Sequence, residues 1–168
     1  MPDRAMGWTR WLALSAAVFV ADLATKAWVS HAFQLGDTLV VTPFFNLVLA
    51  HNTGAAFSFL AGAGGWQRWF FTIVTIAISA GIVVMLARGP GRWVSLALAL
   101  VLGGALGTLF DRLTLGHVVD FIQVHAGGYY WPAFNVADSG ITVGVVMLVW
   151  DGLKPRSGGL AAGAKEKP

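Results

Sequence analysis

The 168-residue chain has no cysteine, which excludes disulfides, thiolate metal ligands and a cysteine nucleophile. It is also short of charge. Asp, Glu, Lys and Arg make up 11% of the residues, against about a quarter in a typical soluble domain, so an ordinary soluble enzyme is disfavoured. The eleven Lys and Arg leave a net charge of only +3 and are scattered rather than gathered in a stripe or arm, which argues against a nucleic-acid partner. A His-Glu-x-x-His pair, a Gly-x-Ser-x-Gly elbow and a phosphate-binding Gly-rich loop are all missing, and nothing fixes two of His31, His51, His117 and His125 on one helix face. No metal and no cofactor is implied, and no internal repeat of convincing period is present.

What the chain does have is apolar surface: 57% hydrophobic residues and a mean hydropathy of +0.70 exceed what one soluble core of this length can bury, so lipid is expected to cover part of the outside. The uncharged runs 69–87 and 93–110, of 19 and 18 residues, are each long enough to cross about 30 Å of hydrocarbon as helix. A third run, about 11–29, holds Asp22 and Lys26 one helical turn apart, where they can pair on a single face. A fourth, about 135–150, carries Asp138 near its start. A cleavable signal peptide is the minor reading of the first run, because the polar pair lies inside it and three more spans follow.

The basic residues Arg4, Arg10, Arg88, Arg92, Lys154, Arg156, Lys165 and Lys167, eight of the eleven, fall on one side of a four-span arrangement. That side is expected to be the cytoplasm, with both termini inside. Trp8, Trp11, Trp28, Trp66, Trp69, Trp93, Trp131 and Trp150 gather at the expected span ends, as interfacial anchors do. The fold class expected is therefore mainly α: a polytopic membrane protein with four transmembrane helices and a small β-containing element at the outer surface. The β element is read from Thr38 to Phe45 and Asn46 to Ala50, interrupted by Pro43. One membrane-embedded domain, 1–154, is followed by a Gly, Ala and Lys-rich tail, 155–168, expected to be flexible and cytoplasmic. Gly103 and Gly107, and Gly140 and Gly144, offer small-residue faces for close helix packing.

Ionisable groups at membrane depth are costly and point to function. Asp37 is set apart, since Gly-Asp-Thr is turn chemistry. Asp22 with Lys26 reads equally as an orienting ion pair or a direct participant. Asp111 and Arg112 close the third span, and Thr108 shares a helical face with Arg112, which makes Arg112 a candidate for a ligand carbonyl or carboxylate. Asp120, in His117-Val-Val-Asp120-Phe-Ile, and Asp138, in Phe134-Asn135-Val-Ala-Asp138-Ser, are each embedded in apolar residues. If close together, two such carboxylates share a proton, one acting as base and one as acid, which activates water for attack on an amide. With Asn135 as cap of the fourth helix, Asp120 is expected to hold the shared proton more often. From these residues alone, a proton-coupled transporter and a non-catalytic assembly factor stay open beside a hydrolase.

The chain resembles the bacterial lipoprotein signal peptidases, the signal peptidase II family, from its first span to its last. The resemblance is carried by Asp22-Leu-Ala-Thr-Lys26, Asn52-Thr-Gly54-Ala-Ala-Phe57, Gly103-Gly-Ala-Leu-Gly107 leading to Asp111-Arg112, Val119-Asp120-Phe121, and Phe134-Asn135-Val-Ala-Asp138. It implies an aspartyl endopeptidase of the bacterial cytoplasmic (inner) membrane that removes the signal peptide of prolipoproteins just before a diacylglyceryl-modified cysteine. Asp120 and Asp138 match the catalytic aspartates. Asn52, Arg112 and Asn135 match polar residues around the substrate, with Gly54 and Thr108 beside them, and Asp22, Lys26 and Asp111 match supporting positions. The partners implied are the prolipoprotein and membrane lipid, and the enzyme is expected to act as a monomer with its site at the outer-leaflet face. One position departs: Thr108 stands where the family usually has Asn, keeping a hydroxyl but losing an amide. The outer β-like segment with the stretch from Phe57 to Trp66 is expected to cover the site as a lid.

Overall fold

The structure is a computed structural model that describes residues 3–54 and 64–154. Four helices, α1 (Asp3–Ala32), α2 (Trp66–Ala87), α3 (Arg92–Thr114) and α4 (Val136–Leu153), are long and apolar enough to cross a membrane. Each expected run is there, and each helix extends past the limits that hydropathy alone gives. α3 reaches Thr114, which puts Asp111 and Arg112 in its last turn rather than beyond its end. α3 is also the central helix, packed against α1, α2 and α4. Glycines permit this: a Cβ on Gly103 would lie 2.6 Å from the Ser15 carbonyl of α1, and one on Gly144 would lie 2.6 Å from the Ala97 carbonyl of α3.

Outside the bundle lies one antiparallel sheet of β1 (Thr38–Thr42), β2 (Phe45–Asn52), β3 (Val118–Ala126) and β4 (Tyr129–Tyr130), in that order. The first hairpin follows the sequence reading, with its turn at Pro43 and Phe44. β3 and β4 do not: the segment from Asp111 to Phe134 gave no strand in that reading. Its signal is present all the same in Val118, Val119, Phe121, Ile122 and Val124, followed by Gly127 and Gly128. Both glycines have positive φ, 56° and 82°, as a tight hairpin requires. Gly116, at φ 82°, ends α3 in the left-handed region and turns the chain into β3.

Two apolar clusters hold the pieces together. Ile82, Leu86, Leu98, Val101 and Leu102 join α2 to α3 at the end bearing Arg88 and Arg92. Val29, Leu49, Val119 and Phe121 lock the sheet onto α1, with Val136 of α4 packed against them. Exposed apolar residues elsewhere, including Ile73, Ile76 and Val84 on α2 and Val146 and Val149 on α4, face outward, as lipid-contacting residues do. Trp28, Trp66, Trp69, Trp93 and Trp150 are exposed at helix ends. The stretch expected to cover the site, except Gly64 to Trp66, and the tail 155–168 lie outside the described residues.

Candidate active site

Asp120 sits on β3 between Val119 and Phe121, which both point into the apolar cluster under the sheet, so strand alternation turns its side chain the other way. It is 3% exposed. In the β2–β3 register Asp120 opposes Ala50, so Asn52, two residues on, stands diagonally across on the same face. There the Asn52 amide donates to Asp120 Oδ2 at 3.1 Å, while its own Oδ1 accepts from the Gly54 amide at 2.9 Å.

Asp138 is brought to the same place by the start of α4. Asn135 caps that helix, its Oδ1 accepting from the Asp138 backbone amide at 2.9 Å, and this leaves Asp138 in the first turn. The cap side chain is fully buried, and its Nδ2 donates to Asp120 Oδ1 at 2.7 Å and to the Val119 carbonyl at 3.2 Å. One amide thus binds the carboxylate of Asp120 and the backbone of Asp138 at once. Burial, and the Asp138 charge next, push the Asp120 carboxyl up to about 7, although the amides of Asn52 and Asn135 and the Lys26 charge pull it back.

Arg112 closes the site from α3. It is 6% exposed, its Nη2 donates to the Gly54 carbonyl, and its guanidinium stacks 4.8 Å from the ring centroid of Phe71 on α2. Its Nη1 is buried without a hydrogen-bond partner among the described residues, a donor left for something else. A cavity of about 590 Å³ opens beside it between α3, α4 and the β4–α4 link, lined by Asn52, Thr108, Arg112, Phe134, Asp138 and Thr142 among others. Thr108 donates its hydroxyl to the Ala105 carbonyl at 3.1 Å, so it faces the cavity with acceptor capacity. Trp131, read in the sequence only as an interfacial anchor, also lines it, as do Ser139 and Thr142, which were not singled out; the Asp138, Ser139 and Thr142 spacing on one helical side was the available signal.

Behind this front, Asp22, Lys26 and Asp111 form a buried ion cluster. Lys26 Nζ lies 2.6 Å from Asp22 Oδ2 and 2.9 Å from Asp111 Oδ2. The i, i+4 pair was readable in the sequence, whereas the Asp111 contact joins two helices and was not. Asp37, as its turn chemistry suggested, accepts from the Gln34 amide at 2.8 Å and has no part in the site. His51 and His117 stack with ring centroids 3.8 Å apart at the end of β2. The fold therefore gathers Asn52, Thr108, Arg112 and Asp138 at one cavity, with Gly54, Asp120 and Asn135 hydrogen-bonded to them and Asp22, Lys26 and Asp111 behind.

A buried amide that ties the Asp120 carboxylate to the first turn bearing Asp138, beside a cavity between α3 and α4, suits general acid–base attack of water on an amide. The known proteins that the chain is similar to agree with that chemistry. Residues 14–154 match the family described as signal peptidase (SPase) II. The lipoprotein signal peptidase of Ralstonia nicotianae is 54% identical over 145 residues, covering 86% of this chain and 84% of that protein. The lipoprotein signal peptidase of Pseudomonas putida is 53% identical over 164 residues, covering 93% and 95%. A bacterial membrane enzyme solved by the in meso method at 2.3 Å resolution is similar with a TM-score of 0.82 and 32% identity, covering 94% of this chain and 95% of that one.

Proposed function

The chain belongs to the signal peptidase II family, and from that premise we propose that Asp120 and Asp138 are the catalytic pair of an aspartyl endopeptidase acting on diacylglyceryl-modified prolipoproteins. The observation that carries the reading is the Asn135 side chain, which ties the Asp120 carboxylate to the first turn that bears Asp138. Asp120 enters the reaction protonated and Asp138 ionised. Asp138 accepts a proton from water as its oxygen bonds to the scissile carbonyl carbon, and Asp120 gives its proton to the carbonyl oxygen. Collapse of the tetrahedral intermediate breaks the C–N bond. The proton that Asp138 took goes to the leaving amine, and the intermediate's hydroxyl returns one to Asp120. The pair thus regains its single proton.

Arg112, with an unused buried Nη1, and Asn52 hold the substrate backbone, while Gly54 receives the other arm of Arg112 and Thr108 lines the path between α3 and α4. A signal peptide and a lipidated cysteine both partition into the bilayer, so carboxylates that cut between them must sit at the outer-leaflet boundary of the cytoplasmic membrane. The basic residues at the opposite end of the bundle support that orientation, with both termini in the cytoplasm. The enzyme acts as a monomer, residues 1–154 being its membrane-embedded unit and 155–168 a cytoplasmic tail.

Detergent-purified protein is expected to cut a diacylglyceryl-modified lipobox peptide immediately before the modified cysteine, as read by product mass. The same peptide without the lipid is expected to be cut at least about tenfold more slowly, since remote binding energy is lost with the acyl chains. Equal rates on the two peptides would remove the lipid from the account.

A further inference from the structure

Each aspartate of the catalytic pair is preceded by a residue whose backbone amide is held by a buried carboxylate. The Ala137 amide, one residue before Asp138, donates to Asp22 Oδ1 at 2.8 Å. The Val119 amide, one residue before Asp120, donates to Asp111 Oδ2 at 3.1 Å. The two carboxylates come from different helices, α1 and α3, and a single ammonium, that of Lys26, joins them. Asp22, Lys26 and Asp111 are 0, 3 and 2% exposed, so water does not soften these contacts.

We propose that Asp22, Lys26 and Asp111 are positioning residues that fix the separation of the two aspartates by clamping the amides before them. The inference rests on the reading of Asp120 and Asp138 as the catalytic pair. Their side chains bond to one another and to these two backbone amides, so their action runs through the backbone and not through substrate contact.

Gly107 belongs to the device. A Cβ there would fall on Asp22 Oδ2, the oxygen paired with Lys26, so glycine at this point of α3 leaves room for the clamp. The atom assignments also separate the two carboxylates. Asp111 Oδ2 alone takes both Lys26 and the Val119 amide, so an Asn carbonyl oxygen can replace it. Asp22 uses Oδ2 for Lys26 and Oδ1 for the Ala137 amide, so an Asn there must give up one partner.

Charge gives a readout that packing alone would not move. The groups acting on Asp120 are Asp138 from α4, Lys26 from α1, and the neutral amides of Asn52 on β2 and Asn135 before α4. Asp22 and Asp111 stand beside Lys26, and Arg112 is on α3. Loss of the Lys26 charge removes a pull toward ionisation, so the alkaline limb of the rate profile moves to higher pH.

The test compares Lys26→Met, Gly107→Ala, Asp111→Ala and Asp111→Asn with the parent and with Leu86→Ala. Leu86 is fully buried in the cluster at the opposite end of the bundle, so its variant reports lost packing alone. Cleavage of the diacylglyceryl lipobox peptide is followed as kcat and KM across pH, beside thermal unfolding. Lys26→Met, Gly107→Ala and Asp111→Ala are expected to lose about 100-fold in kcat with KM nearly unchanged, as misplacement of reacting groups does. Asp111→Asn recovers to within about tenfold of the parent, and Lys26→Met shifts the alkaline limb upward. Losses that merely track melting temperature along the line set by Leu86→Ala, with an unmoved pH profile, overturn the proposal. If Asp120→Asn, run alongside, keeps parental activity, the catalytic reading itself has failed; if it is inactive while the clamp variants stay near parental kcat, only the clamp is refuted.

Discussion

Asp120→Asn and Asp138→Asn are each expected to lower kcat on the order of 10⁴-fold, with KM little changed and metal chelators without effect on the parent. The two losses should not add, because acid and base act as one unit and either alone leaves the water unactivated. The geometry makes the first substitution informative. Both oxygens of Asp120 accept amide N–H groups, Oδ1 from Asn135 and Oδ2 from Asn52. An Asn at this position sets its amide NH2, a donor, against one of those donors, so it removes the proton and perturbs the anchorage together. Asp138→Asn disturbs the cap little, since the Asn135 side chain binds the backbone amide of residue 138 and an Asn oxygen can still accept the Asn135 backbone hydrogen bond that the Asp138 carboxylate takes. A normal melting temperature with no turnover in Asp138→Asn therefore isolates the chemistry. Retained turnover in either variant would assign the reaction to other groups.

Asn135→Ala is expected to produce the largest combined effect on stability and rate. Its side chain makes three connections at once: it caps α4 at Asp138, binds the Val119 carbonyl and binds Asp120 Oδ1, all from a fully buried position; its backbone carbonyl also accepts from the Ser139 hydroxyl at 2.9 Å, a contact the substitution leaves in place. Losing the cap costs about 1 kcal/mol, and leaving the Val119 carbonyl buried and less well paired adds roughly 1–3 kcal/mol, for a total of roughly 2–4 kcal/mol in thermal or denaturant unfolding. The same change frees Asp120 relative to α4, so kcat falls by at least about 100-fold. Asn135→Asp keeps an oxygen for the cap but loses the donor to the Val119 carbonyl and sets a third, buried carboxylate beside Asp120, so it is expected to restore neither stability nor rate. A variant that unfolds as the parent does would mean that the bridge is not what joins the two elements.

The parts of this fold written in one continuous stretch of chain were legible, and the parts written across stretches were not. Four apolar runs were readable because each must satisfy its backbone within itself in lipid. The cap was readable too, because Phe134-Asn135-Val-Ala-Asp138 puts capping residue and acid at fixed spacing. Asp22 and Lys26 announced their pairing through helical periodicity. Asp120 was found as a buried acid but not as a strand residue, because β3 draws its partners from β2, about seventy residues earlier. The contact between Lys26 and Asp111 and the bridge from Asn135 to Asp120 exist only once α1, α3 and β3 have met. The glycines of α3 were read as packing positions, and Gly107 proves to make room for a carboxylate as well.

The catalytic claim reduces to one proton held between Asp120 and Asp138, and the pH dependence of kcat/KM of the unmodified enzyme tests it most directly. Because the Asp120 carboxyl is raised from 3.8 to about 7, it keeps its proton below that value and loses it above. The active form is the one with a single proton on the pair. Activity is therefore expected to decline as pH rises through about 7, once Asp120 can no longer protonate the carbonyl oxygen, and to decline again in acid, where Asp138 can no longer accept a proton from water. A two-sided profile with its alkaline limb near 7, measured in chelator on the diacylglyceryl lipobox peptide, is the result this account predicts. A rate that climbs steadily from neutral pH to pH 9 would contradict it, because a pair that has given up its last proton retains no acid.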